Sequence, residues 1–106
     1  MSHTRVDYRE GEEKAPGMFF LRDALDCENL GLTVIDADPG WTGMEHDHEG
    51  GDHEEVYLLV EGAATLDVDG ESVELVPDEA VRVAPEASRQ LRVGDEASRL
   101  VVVGAP

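Results

Sequence analysis

Three residues near the middle of the chain have the types and spacing for metal chemistry: His46, His48 and Glu55. The histidines sit in Gly40-Trp41-Thr42-Gly43-Met44-Glu45-His46-Asp47-His48. The glutamate sits in Glu54-Glu55-Val56-Tyr57-Leu58-Leu59-Val60-Glu61-Gly62. With residues 44–48 extended, side chains alternate between faces, so His46 and His48 project together, about 7 Å apart. A second strand over 55–61 returns after a turn and brings a carboxylate beside them. Two imidazoles and a carboxylate with open positions form a facial triad, and such donors admit a divalent transition metal: Zn, Mn, Fe, Ni or Cu. Glu54 competes with Glu55 for the carboxylate role, and His53 could supply a third nitrogen. Asp47, Glu49 and Asp52 read as solubilising surface. Tyr57 shares Glu55's face, where it either lines a pocket or packs in the core.

The segments around these residues read as short strands divided by turns. Residues 1–17 are polar, with Arg5-Val6-Asp7-Tyr8 as a possible edge strand and otherwise an arm; residues 18–106 read as one β domain. Met18 to Leu21 and Leu30 to Asp36 read as strands. Asp38-Pro39-Gly40 is a turn signal. Ala64, Leu66 and Val68 alternate, and Asp69-Gly70 marks a two-residue hairpin into Ser72–Leu75. Ala80–Val83, Ser88–Val93 and Leu100–Val103 complete the set. Many short strands at 8–12-residue spacing without a convincing helix predict an antiparallel sandwich or barrel.

Composition narrows the partners. The chain has 106 residues, enough for one domain, with 25 acidic against 8 basic side chains and a formal charge of −17. That surface repels nucleic acid and anionic membranes. The bias resembles proteins of salt-loving archaea, whose acidic surfaces keep them soluble in concentrated salt, and it predicts such a source. Cys27 is the single cysteine, so no internal disulfide and no cysteine metal knuckle forms. No apolar run opens the chain and no stretch reaches membrane-spanning length, which predicts a cytoplasmic protein.

The chain resembles a small single-domain cupin. That family's first motif is Gly, five residues, His-x-His, a short gap, Glu, six residues and Gly; Gly40, His46, His48, Glu55 and Gly62 match it, with a longer gap before Glu55. The second motif is degraded: its Gly, Pro and second Gly fall on Asp78, Ala84 and Glu86, its ligand His on Arg89, and its Asn on Val93. The resemblance covers roughly residues 30–104 and implies an antiparallel double-sheet jelly-roll barrel, all-β. It also implies a metal on His46, His48 and Glu55, a small polar or anionic ligand, and a homodimer. Arginine cannot serve as a fourth metal ligand, because it stays protonated and offers no lone pair. Parity with Leu91 and Val93 turns Arg89 inward, where it meets either Glu55 or an anionic ligand; a bulge near Pro85 would turn it outward instead. A metal-dependent dioxygenase or isomerase, a ligand-binding barrel and a metal-free remnant are the function classes left open.

Overall fold

The computed structural model describes residues 2–47 and 53–106. Nine strands run in chain order: β1 (Glu12–Ala15), β2 (Met18–Phe20), β3 (Gly31–Ala37), β4 (Glu54–Glu61), β5 (Ala64–Val68), β6 (Glu71–Leu75), β7 (Ala80–Val83), β8 (Arg89–Val93) and β9 (Ser98–Ala105). They form two antiparallel sheets, ordered β1-β2-β3-β9-β4-β7 and β6-β5-β8. The fold is the expected all-β double sheet of the jelly-roll type.

Alternation decides which side chains fill the space between the sheets. On β4 Tyr57 and Leu59 are buried, on β8 Arg89, Leu91 and Val93, and on β9 Ser98, Leu100 and Val102. Cross-strand partners share a face, so Ile35 lies against Leu100 and Leu66 against Leu91 inside one core. The opposite face of β4 carries Val56, which is exposed, and Leu58, which is half-buried, with Val60 exposed at a bulge.

Turn residues meet the backbone demands of the hairpins. Asp69 (φ 48°) and Gly70 (φ 82°) both take left-handed conformations, as the tight β5–β6 hairpin requires. Gly62 closes the β4–β5 turn at φ 91°, and a Cβ there would run into the Ser98 side chain and the Ala97 carbonyl.

Three expectations need correction. Arg5 to Tyr8 is not a strand: the Asp7 carboxylate accepts the Arg9 N–H at 2.9 Å and caps a 3-10 turn over Tyr8–Glu10. The edge strand is β1 instead, so the N-terminal segment is built into the larger sheet rather than held as an arm. The histidine segment meets the smaller sheet through isolated bridges, Thr42 to Arg92 and His46 to Arg89, and not as a continuous strand among the described residues. His48 and the Glu49-Gly50-Gly51-Asp52 turn lie outside the described residues.

Candidate functional site

The site forms where β4 and β8 face each other across the core. Glu55 enters from β4, opposite Gly104 of β9, whose missing side chain leaves it room: a Cβ at Gly104 would press on Glu55 Cγ at 3.3 Å. His46 and Arg89 are held by paired backbone bonds, His46 N–H to the Arg89 carbonyl at 2.9 Å and the reverse at 2.8 Å. Directly opposed residues project to one side, so both side chains point toward Glu55.

Arg89 is completely enclosed, at 0% exposure, and each of its three nitrogens has an acceptor. Nη1 donates to Glu55 Oε1 at 2.8 Å, Nη2 to the Ala84 carbonyl at 2.6 Å and Nε to the Ala87 carbonyl at 3.1 Å. The turn at the degraded second motif thus supplies carbonyls that fix the guanidinium. An enclosed charge needs such partners, because burying it bare is prohibitively costly.

Glu55 Oε1 also accepts the Tyr57 hydroxyl at 3.1 Å, and His46 Nε2 stands 3.7 Å away, an ion-pair distance rather than a hydrogen bond. Burial, then the Glu55 charge, pushes the Tyr57 phenol well above its ordinary range, so it stays a donor. The Glu55 carboxylate raises His46 above its usual 6.5, against the lowering effect of burial. His46 Nδ1 lies 3.2 Å from the Met44 carbonyl.

Four predicted residues therefore converge: His46, Glu55, Tyr57 and Arg89. Glu54 does not join them; it faces outward and pairs with Arg82 at 2.7 Å. His53 instead lines, with Glu55, an open cavity of about 400 Å³ on the inner face of the larger sheet. That cavity is walled largely by β1, β2 and the start of β3, including Glu12, Lys14, Phe20 and Arg22. Sequence reasoning missed this wall, since Glu-Glu-Lys-Ala carries no strand alternation.

The cupin domain family model matches residues 33–104. The chain belongs to the cupin family. Among solved structures, this cupin is similar to a cupin protein from Bacteroides fragilis, at 20% identity and a TM-score of 0.84, covering 99% of this chain and 85% of that one. It is similar to KdgF from Halomonas, at 18% identity and 0.77, covering 100% and 94%. It is also similar to a sugar phosphate isomerase of the cupin superfamily from Silicibacter pomeroyi, at 23% identity and 0.71, covering 91% and 65%. No curated protein matches the chain significantly.

Cupins often bind metals, and the donor chemistry can be tested against that. Among the described residues, no cluster of three or more His, Cys, Asp or Glu is arranged to hold an ion. Of the described donors, His46 and Glu55 approach each other, but at an oxygen already holding Arg89 and Tyr57. A divalent ion on that oxygen would face a fixed guanidinium across it, with strong repulsion. Of the three expected metal ligands, His46 and Glu55 thus meet at an oxygen shared with Arg89 and Tyr57, and His48 lies outside the described residues.

Proposed function

We propose that this cupin is a small-molecule-binding barrel organised around a fixed charge cluster rather than a resident metal. The observation that carries this reading is the Arg89 Nη1–Glu55 Oε1 contact of 2.8 Å with the arginine wholly enclosed. The guanidinium stands where the second motif would place its histidine and neutralises the carboxylate that a metal would need. The adjoining cavity falls in the size range of small-ligand pockets, and its polar, charged lining suits a small polar or anionic molecule. Arg89 braces Glu55 in this reading and is not itself the ligand clamp.

The rival reading is the metal centre on His46, His48 and Glu55, which the 3.7 Å approach of His46 to Glu55 favours. Elemental analysis of protein purified without chelator separates the two. The binding-barrel reading expects no stoichiometric metal, and a melting temperature unmoved by chelator or by added Zn, Mn, Fe, Ni or Cu. Stoichiometric metal with a chelator-sensitive melt, abolished in His48→Ala, would establish the metal centre instead.

The outward row of Val56 and Leu58, continued on β9 by Val101 and Val103, supports a homodimer through this face. Sedimentation should give a dimer that Val56→Asp dissociates; a monomeric wild type would remove this part of the proposal. The same reading keeps the protein in the cytoplasm and away from nucleic acid and membranes. No helix among the described residues is long and apolar enough to cross a membrane.

A further inference from the structure

We infer that Lys14 and Arg22 are the specificity-determining residues of the cavity, holding the anionic group of a small organic ligand. This rests on the binding-barrel reading above and names the ligand's chemistry. The argument begins with charge. Of eight cationic side chains, Arg9, Arg82, Arg89, Arg92 and Arg99 form ion pairs with carboxylates. Among the described residues Arg5, Lys14 and Arg22 form none, although acids outnumber bases by 25 to 8. Two of those three line the same cavity.

Both are held in place without being neutralised. Arg22 donates through Nη2 to the Asn29 carbonyl at 2.9 Å and through Nε, more weakly, to the Leu30 carbonyl at 3.4 Å. Lys14 lies where the β1–β2 register shifts, with its ammonium 4.7 Å above the Phe20 ring. Carbonyls and an aromatic face orient a cation but leave its charge available, which preorganises it for an anion.

The same wall carries Glu12 and Asp23, with Glu55 deeper in. Glu55 is already paired with Arg89, so Glu12 and Asp23 stand against the two cations and oppose a polyanion. They favour a ligand with one carboxylate or phosphate group on a body rich in hydrogen-bond donors such as hydroxyls. Seven of the twelve lining residues precede residue 33, where the family match begins, so most of this wall comes from β1, β2, the loop after β2 and the start of β3, ahead of the matched residues.

Calorimetric titration at fixed ionic strength tests the assignment with gluconate, glycerol 3-phosphate and neutral sorbitol. At least one anion should bind, and sorbitol should bind at least tenfold more weakly; which anion is tighter tells carboxylate from phosphate. Lys14→Ala and Arg22→Ala should each weaken the binding anion about tenfold or more, as loss of a charge-assisted contact does. Both side chains are exposed, so the melting temperature should hold. Arg5→Ala removes the third such cation, away from this cavity, and should leave affinity unchanged. Failure of both anions to bind wild type at millimolar concentration overturns the inference. So does equal binding by the Lys14 and Arg22 variants, or an equal loss in Arg5→Ala, which would mark a general charge effect. Stoichiometric metal in the purified protein would sink the metal-free reading without touching this result.

Discussion

Removing Glu55 should damage this protein far more than removing its partner Arg89. The two side chains share one hydrogen bond but not one environment: Arg89 is fully enclosed, whereas the Glu55 side chain retains 18% exposure along the cavity. In Glu55→Ala the guanidinium keeps its bonds to the Ala84 and Ala87 carbonyls but loses the one carboxylate it pairs with among the described residues. Breaking a buried pair in that direction costs about 3–5 kcal/mol. For a domain of this size that corresponds to a fall in melting temperature of roughly 12–20 °C, taking about 4 °C per kcal/mol. In Arg89→Met the remaining carboxylate still accepts the Tyr57 hydroxyl, faces His46 and reaches water, so a loss of about 1–3 kcal/mol follows. The double variant should then cost little more than Arg89→Met alone, giving a coupling of about 2 kcal/mol or more. Urea unfolding of all four proteins at one salt concentration reads these differences. A Glu55→Ala loss below about 1 kcal/mol, or one smaller than that of Arg89→Met, would refute the argument that the enclosed charge depends on Glu55.

The charge of −17 predicts that raising potassium chloride from millimolar to molar raises the melting temperature; a flat or falling melt would remove the high-salt explanation of the acidic bias. Because Glu55 raises His46, the imidazolium's contribution to stability is full below about 6.5 and is lost as pH rises through the raised folded-state value. Wild type should therefore gain on His46→Gln as pH falls from 8 toward 6, and a gap independent of pH would contradict the ion pair. Gly62→Ala forces a Cβ against Ser98 at a positive φ and should cost on the order of 1–3 kcal/mol in denaturant unfolding, whereas an unchanged midpoint would show that the turn can relax.

What the sequence made legible, and what it hid, follows from how each signal arises. Strand parity is a property of neighbours along one chain, so Arg89's inward direction could be read from Leu91 and Val93 without knowing the partner strand. The partner was readable only as a choice, Glu55 or a ligand, because sequence spacing does not report distance across a barrel. The histidine segment misled for a related reason. Met44 is 84% exposed and His46 meets β8 through a single bridge, so residues 44–47, which look like part of a strand, are a loop. The cavity wall was the least legible part. Glu12 to Ala15 has neither alternation nor an apolar face, since an edge strand beside an open cavity need bury little. Yet β1 and the loop after β2 bring Lys14 and Arg22 beside a cavity that Glu55 also lines, and Glu55 is held in turn by Arg89. The degraded second motif and the unreadable N-terminal segment thus bear on one region: the arginine fixes the carboxylate, and β1 with the loop after β2 supplies two cations that form no ion pair among the described residues.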